Sequence, residues 1–398
     1  MHRLLAAALV AALPVAAPAG PSPLSDEVGR DGIGATVARL ESLEAPLPPD
    51  LFALAGLRFL SGIEHALQLR WQTGSTDDGM ILPVFRLPIP DNPAPRPLAG
   101  EDITRLLAGL VSDLDAAREA LDRLGSRDFA LEIALGDLWF DIDADGARDP
   151  GEDVATVAGM LLGPPASPGV DVIAPVIRFD TADGAWLSAY THLLSALAEV
   201  ALAYDPGPAV DEVITATRAI QALRRPGASG DPWEVMFGRE VDRIAMILSA
   251  LAQQPDAVRT RAAHAHLLAM VRENRRFWDL VETESDNAHE WIPNDRQSSA
   301  LGLDVPQGLG REWRALLDDV EAILDGRLLV PHWRYGEAAG IDIRLLFEDP
   351  PHVDLIAMVQ GGAFLPYARR GELATAAAWR AFENLVQGDT FLFAILVN

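Results

Sequence analysis

The 398-residue chain contains no cysteine and no lysine. Without cysteine it has no disulfides, no thiol nucleophile, no thiolate ligands for a metal and no attachment point for an acyl anchor. Without lysine, all 32 basic residues are arginine. Together with the abundant alanine, glycine and proline, this indicates codon bias in a GC-rich bacterial genome. Stability must therefore come from core packing and, where one is present, from a bound metal ion.

After its first residues the sequence has no apolar run of about 20 residues, the length that a membrane-spanning helix needs. The apolar residues 4–17 form a shorter stretch, which follows the polar pair His2-Arg3. Ala17-Pro18-Ala19 then offers a small-x-small cleavage site, so we predict a signal peptide over residues 1–19. An uncleaved anchor or an N-terminal core helix is the alternative. We expect a periplasmic or secreted protein with no membrane insertion after signal cleavage.

Positive charge is scarce, because 32 basic residues stand against 58 acidic ones and give a net charge of -26. A field of that sign repels phosphate groups, so we do not expect nucleic acid or anionic lipid as a partner. The acidic residues are spread along the chain without a long run of one sign, and an acidic tail therefore does not explain the charge.

Hydrophobic residues make up 49% of the chain, which is enough for a sizeable core, and most recur at the spacing of amphipathic helices. No fixed repeat period accompanies them. The fold class we predict is mainly α, a multi-helix array or bundle with a few short strands. The pattern predicts helices over residues 26–45, 50–71, 102–124, 185–204, 257–281, 308–326 and 372–386, and one more beginning at Asp231.

The helix beginning at Asp231 has the clearest sequence signals. Asp231 suits the N-cap, Pro232 the first helical position, and Glu234 completes a D-x-x-E pattern like a capping box. We expect its apolar side to face the core. That side consists of Trp233, Phe237, Val241, Ile244, Leu248 and Leu251.

Two segments rich in proline or glycine divide the chain without separating independent domains. Residues 81–99 contain six prolines and are expected to be an extended connector, and residues 163–175 are rich in glycine and proline. We therefore distinguish N-terminal helices and a connector (20–99), a helix followed by an acidic loop (100–175), and a C-terminal helical region (176–398). We expect them to pack together as one large domain.

Residues 141–152 carry the most specific motif of the chain, D-I-D-A-D-G-A-R-D-P-G-E. Alternate residues at its start can point toward one centre as the chain curls, and Gly146 permits a tight turn at positive φ. Five carboxylates within twelve residues repel one another unless a cation lies between them. A solvated acidic turn is the alternative, but it would not need both Gly146 and Glu152.

This segment resembles the EF-hand calcium loop. The resemblance implies calcium as the cofactor, held by the side chains of Asp141, Asp143, Asp145, Asp149 and Glu152 and the backbone carbonyl of Ala147. It covers only the loop, and Arg148 stands where paired EF-hands carry an aliphatic residue. The sequence has no second full loop, so a structural calcium ion is favoured over a calcium sensor. The predicted fold thus contains one inserted calcium loop.

The residues before the loop leave its flanking structure open. Phe129, Leu131, Ile133 and Leu135 alternate with small or polar residues, which favours a strand, although a helix is also compatible with the pattern. The string from Gly136 through Glu152 also resembles the calcium loop that opens the B-type repeats of bacterial surface adhesins. Those repeats are β-sandwiches, and the helical residues that follow indicate that only the loop chemistry is shared.

A second unusual stretch, residues 282–297, is rich in carboxylates and contains His289. One interpretation is a capped, solvated connection between helices, which we favour. The other is a hydrolytic site in which His289 acts as general base beside Glu284 and Glu290. Such a site would lie close in space to residues 332–334, which end at Arg334. His264 and His266 lie two apart, on different sides of a helix, so joint metal ligation by the two is not expected.

The sequence therefore favours an exported calcium-binding protein in which calcium is mainly structural and the helices form a binding or scaffold module. The alternative is a calcium-stabilised periplasmic hydrolase with its site around residues 282–297 and 332–334. The first hypothesis predicts a calcium loop away from any deep pocket. The second predicts that Glu284, His289, Glu290 and Arg334 converge on one cleft.

Overall fold

The computed structural model describes residues 20–74, 89–154, 175–223, 232–287, 289–302, 305–387, 390 and 393–394. The predicted signal peptide, part of the proline-rich connector, nearly all of the 163–175 stretch and most of the final apolar run lie outside these residues.

The fold is mainly helical with a few short antiparallel strands, as the sequence predicts. The helices are α1 (Pro23–Glu41), α2 (Pro48–Thr73), α3 (Gly100–Leu124), α4 (Thr181–Ala203), α5 (Pro206–Ala222), α6 (Pro232–Leu251), α7 (Ala257–Val281), α8 (Leu309–Leu324), α9 (Ile343–Glu348), α10 (Leu355–Gln360) and α11 (Ala377–Val386). Short 3-10 helices cover Leu135–Asp137 and Gly362–Tyr367. None of the described helices combines the length and the apolar composition needed to cross a lipid bilayer.

The strands form two small sheets. β1 (Ala130–Ala134) pairs antiparallel with β2 (Val176–Asp180), and Glu132 lies opposite Arg178. β3 (Val330–Pro331), β4 (Ala339–Ile341) and β5 (Ala368–Arg370) form a three-stranded antiparallel sheet with β4 in the middle. The sheet β1–β2 matters most for the candidate site, because the acidic loop follows β1 directly.

Local hydrogen bonds set where the helices begin. Two helices begin at other residues than predicted, one because of a capping side chain and one because the preceding residues pair with another segment. α3 begins at Gly100 rather than at Asp102, because the Asp102 carboxylate accepts a hydrogen bond from the backbone N–H of Ala99, at 3.0 Å. α11 begins at Ala377, later than expected, because the preceding residues pair with Leu329. The backbone N–H of Ala374 donates to the carbonyl of Leu329 at 2.8 Å.

The two short apolar runs of ambiguous periodicity take different structures. Residues 328–331 contribute β3, and residues 354–359 lie almost entirely within α10. Helix α7 spans the predicted residues 257–281.

Buried side chains form two main hydrophobic clusters, and α4 belongs to both. The first cluster joins α1, α2, α3 and β1 with Phe140 and Ile142 of the acidic loop. The second joins α4, α7, α8 and α11 around Phe277, Trp313 and Phe382. Leu187 of α4 lies in the first cluster, whereas Ala182, Ala185 and Ala189 of the same helix lie in the second.

Helix α6 contradicts the expectation that its apolar side faces the core. Trp233, Phe237, Val241, Ile244 and Leu248 are all exposed. α6 packs against α5, and polar groups line part of that contact. Thr217 donates to Asp242 at 2.9 Å and Ser249 donates to Glu212 at 2.7 Å. The opposite, apolar side of α6 therefore faces outward.

Candidate metal site

The acidic loop is closed at its base by a short antiparallel bridge between Trp139 and Asp153. The Phe140 N–H donates to the Glu152 carbonyl at 2.9 Å, and the Val154 N–H donates to the Leu138 carbonyl at 3.0 Å. The loop therefore continues from the β1–β2 sheet through a 3-10 turn and a bridge. The strand that the alternating pattern favoured is present, and this flank differs from the helical flank of an EF-hand.

Trp139 fixes the base of the loop to helix α1. Its side chain is buried, and its indole N–H donates to the Val28 carbonyl at 3.1 Å. The ring lies against Gly32, where α1 is kinked at φ 78° and ψ 176°. A Cβ at Gly32 would lie 2.8 Å from the Trp139 ring, so the close approach of helix and ring requires glycine.

Within the loop, buried and acidic residues alternate. Phe140 and Ile142 are buried in the first hydrophobic cluster. The Asp141 carboxylate bends the chain into a turn, because it accepts hydrogen bonds from the N–H groups of Asp145 and Gly146, both at 3.0 Å. Gly146 has φ 79°. This local bonding brings carboxylate oxygens of Asp141, Asp143 and Asp145 within 4.8 Å of one another.

Glu152 occupies the twelfth loop position but faces the backbone. Its side chain is only 1% exposed. One carboxylate oxygen accepts from the Ile142 N–H at 2.8 Å and the other from the Asp149 N–H at 2.8 Å. The side chain therefore ties the start of the loop to its end, while Ala147 and Asp149 are exposed at its outer side.

Helix α2 supplies two partners that the sequence did not identify. The Glu64 carboxylate accepts from the Asp141 N–H at 2.9 Å, and the Gln68 side chain donates to the Asp141 carbonyl at 2.8 Å. These residues stand one helical turn apart, so one face of α2 holds both backbone groups of Asp141. The signal available in the sequence was an acidic residue, Glu64, between Ile63 and the apolar Ala66-Leu67.

The electrostatics of this cluster favour a positive charge. The pKa of Glu64 is raised to about 7, mainly by burial, and the charges of Asp141 and Glu152 contribute to this rise. Burial is also the main cause that raises the pKa values of Asp141 and Glu152, and neighbouring loop carboxylates add to both effects. A divalent cation at the loop would reverse these shifts, since an adjacent positive charge stabilises the carboxylate form.

The donor set matches the needs of a hard cation that prefers six to eight oxygen ligands. The structure brings three of the predicted side-chain ligands together, namely Asp141, Asp143 and Asp145. Ala147 and Asp149 follow on the same loop, and Glu152 lies at its base. For the loop residues, calcium is the cation that this oxygen-only set and the spacing suit best.

A second group of carboxylates lies where β2, α4 and the segment 282–297 meet. Oxygen atoms of Asp180, Glu284 and Glu290 are within 4.8 Å of one another, and the neighbouring Asp183 is buried. Burial, then the charge of Asp180, raises the pKa of Glu284 to about 7.

Arginine already neutralises part of this second group. Arg178 lies 3.1 Å from Asp180 and 3.5 Å from Asp286. One guanidinium offsets one of these negative charges, so the group keeps a net negative charge when its carboxylates are ionised.

The remaining residues of the hydrolase hypothesis have different surroundings. His289 is exposed at φ 64°, and its carbonyl accepts from the Arg178 N–H at 3.1 Å. Arg334 stacks on Trp333, with 5.4 Å between the guanidinium carbon and the ring centre. His332 bonds to the Met358 carbonyl and Trp333 to the Val359 carbonyl, at 3.1 and 3.0 Å. Residues 332–334 thus pack on α10.

Two half-buried histidines form a contact that the sequence did not predict. The Nδ1 atoms of His192 on α4 and His266 on α7 are 2.8 Å apart. Burial lowers the pKa of His192 to about 3, and Arg118 adds to this shift. His264 instead approaches the Leu324 carbonyl at 2.9 Å, so His264 and His266 point to different sides, as expected. A polar cavity of about 400 Å³ lies beside this pair, lined among others by Asp115, Ser188, Glu273 and Arg276.

Comparison of the chain with protein-family models, with curated proteins and with solved structures found no match.

Proposed function

We propose that this is an exported calcium-binding protein in which one calcium ion, held by residues 141–152, stabilises the helical fold. The observation that carries the proposal is the convergence of the Asp141, Asp143 and Asp145 carboxylates on a loop whose base is anchored in the first hydrophobic cluster. An ion there offsets the mutual repulsion of the carboxylates and ties the loop to α1 and α2.

The arrangement favours a structural role over signalling. The loop is closed by a β-bridge and held by Glu64 of α2, so binding needs no helix to swing outward. Calcium modules outside the cell typically bind with dissociation constants of about 10⁻⁴–10⁻³ M. The N-terminal residues 1–19 support export, because their sequence has the features of a signal peptide.

Thermal and chemical unfolding in about 1 mM calcium and in chelator tests this proposal. A site with a dissociation constant of about 100 μM adds roughly 1.4 kcal/mol at that calcium level. Asp143→Asn should abolish the calcium-dependent gain without lowering stability in chelator. The reason is that an asparagine oxygen can still accept the hydrogen bond that Asp143 now accepts from the Asp145 N–H.

Asp128→Asn is the matched control, because Asp128 is exposed and lies outside the loop; it should keep the full calcium response. Equal stability of the wild-type protein in calcium and in chelator, with no heat on calorimetric titration, would refute the calcium site.

The role of the helices that we propose is a binding or scaffold module. Exposed apolar residues on α6 and α10 support it, because surfaces of this kind are typical of protein contacts. A calcium-stabilised hydrolase is the second candidate. The observation in its favour is Glu284, whose pKa of about 7 and closeness to Glu290 suit general acid–base chemistry. Loss of any measured hydrolytic activity in Glu284→Gln would support that candidate.

A further inference from the structure

Helix α6 presents an apolar stripe to the outside of the molecule. Trp233 is 72% exposed and Val241 60% exposed, and the two aromatic rings at one end stack with their centres 5.5 Å apart. We call this set the α6 stripe; it consists of Trp233, Phe237, Val241, Ile244 and Leu248. Met236, one turn from Trp233 on the same helix, is 67% exposed and adds to this apolar surface.

The size of this surface equals one side of a stable protein interface. From typical side-chain areas, the exposed parts of these residues amount to about 700 Å² of apolar surface. The largest apolar patch on a monomeric protein is usually about 300–600 Å². A standard interface buries about 800 Å² on each partner, so a single contact could cover the whole patch.

The order of residues along the α6 stripe allows the stripes of two identical chains to pack against each other. When two identical helices pack antiparallel, residues equally far from the central point lie at the same height. With that point between Glu240 and Val241, Trp233 lies level with Leu248 of the second copy and Phe237 level with Ile244. Large rings thus meet branched aliphatic side chains, and Val241 lies beside the two-fold axis.

Charged residues beside the stripe fit the same arrangement. Glu240 and Arg243 lie on one edge of α6 and form an ion pair within the chain, at 2.8 Å. In the antiparallel pair this edge meets the same edge of the second copy, where the two Glu240 carboxylates lie close to the axis and an Arg243 guanidinium lies on either side of them. The two arginines matter because each copy carries a net charge of -26, and like charges near the axis would oppose association.

We propose that the α6 stripe is the interface of a two-fold symmetric homodimer in which two α6 helices pack antiparallel. The dimer buries an apolar surface that the monomer leaves in water. The two α6 helices then lie in the middle of the dimer, and the α5 helix of each copy lies on the outer side of its α6. The proposal does not depend on calcium at residues 141–152, since that loop packs on α1 and α2.

The association state of the whole chain tests the proposal directly. We expect sedimentation equilibrium or light scattering after gel filtration to give twice the monomer mass at about 100 μM. Val241→Glu should weaken the dimer about 100-fold or more, because each dimer would then bury two unpaired carboxylates at its axis. The helical circular dichroism should not change, since the side chain is exposed in the monomer.

Val258→Glu is the matched control, because Val258 lies on α7, is 67% exposed and is outside the stripe; it should leave the dimer intact. A wild-type chain that is monomeric at 100 μM, or a Val241→Glu variant that remains a dimer, overturns the proposal. A monomer that instead floats with neutral phosphatidylcholine vesicles also overturns it and identifies the stripe as a lipid-binding surface.

Cross-linking tests the antiparallel register, and the absence of cysteine makes single thiols easy to place. Val241→Cys should cross-link to itself with a short thiol-specific reagent, since packed helix axes are 8–10 Å apart. Two Trp233→Cys residues should not, because fifteen helical residues, about 22 Å, separate them along the axis. A mixture of Trp233→Cys and Leu248→Cys chains should cross-link. Self-cross-linking of Trp233→Cys would overturn the antiparallel arrangement.

Discussion

Among the residues that the structure describes, groups of three carboxylates lie close together at two places, and the neighbouring groups determine what relieves their repulsion. In the loop, backbone N–H groups donate to both oxygens of Asp141 and of Glu152, and carboxylate oxygens of Asp141, Asp143 and Asp145 lie within 4.8 Å of one another. Beside β2, Arg178 forms ion pairs with Asp180 and Asp286, and its single positive charge is shared between them. Glu284 is held between these charges, and a proton is the simplest way to reduce the local negative charge.

Glu284 should therefore make the protein less stable as the pH rises. Its pKa is about 7 in the folded protein against an ordinary value of 4.5. The stabilising contribution is complete below pH 4.5, falls as the pH rises, and is lost above pH 7. Glu284→Gln removes the charge and keeps an acceptor for Gln297. After allowance for solvent screening, we expect it to raise the unfolding free energy at pH 8 by about 1–2 kcal/mol.

Urea unfolding at pH 5 and pH 8 in chelator measures this difference. The variant should gain stability at pH 8 and show little change at pH 5. Glu337→Gln, a change at an exposed residue, should follow the wild-type protein at both pH values. A wild-type-like pH profile in Glu284→Gln would show that Glu284 is ionised throughout that range.

At the residue scale, the sequence predicted the local part of the candidate site and missed the distant part. The convergence of Asp141, Asp143 and Asp145 follows from their alternate spacing and from the turn at Gly146. Glu64 and Gln68 lie more than 70 residues earlier, and contact with the loop depends on how α2 packs. No local pattern encodes such a contact.

At the scale of single elements, the kink in α1 is the feature that fixes the loop. Gly32 combines a backbone conformation that favours glycine with a close contact to the Trp139 ring. Gly32→Ala should destabilise the protein by about 3 kcal/mol, through backbone strain and displacement of the ring. Chemical denaturation followed by circular dichroism measures this loss of stability.

Gly34→Ala provides the comparison two residues further along α1. A Cβ at Gly34 meets no atom within 4 Å, and alanine favours the helix, so this variant should gain up to about 1 kcal/mol. Equal effects of the two substitutions would mean that the contact between α1 and Trp139 contributes nothing to stability.

The spacing of apolar residues predicted the helices well, and it predicted burial correctly only where the apolar side of a helix packs in the core. Most helix positions were predicted from apolar spacing, and α7 matches residue for residue. The pattern before the loop is compatible with a strand or a helix. The strand forms because it pairs with β2, which begins 42 residues after β1 ends. The α6 stripe has the spacing of a core face but is exposed. Spacing shows which side of a helix is apolar, and it does not show what covers that side.

For the whole molecule, helix α4 connects the two hydrophobic clusters. Leu187 packs in the first cluster, Ala185 and Ala189 pack in the second, and Trp186 contacts both. Opening of either cluster therefore exposes a face of the same helix. We expect the chain to unfold in one cooperative transition, with equal calorimetric and van't Hoff enthalpies.

Calcium should accordingly protect parts of the molecule that lie far from the loop. If the ion adds roughly 1.4 kcal/mol to global stability, hydrogen exchange of the most protected amides should slow about tenfold. The slowing should appear in α8, around Trp313 of the second cluster, as well as in α2 of the first. Asp143→Asn should remove it from both helices. Slowing confined to α2 would show instead that the clusters unfold separately, since an ion that stabilises one cooperative unit protects every amide that exchanges through its global unfolding.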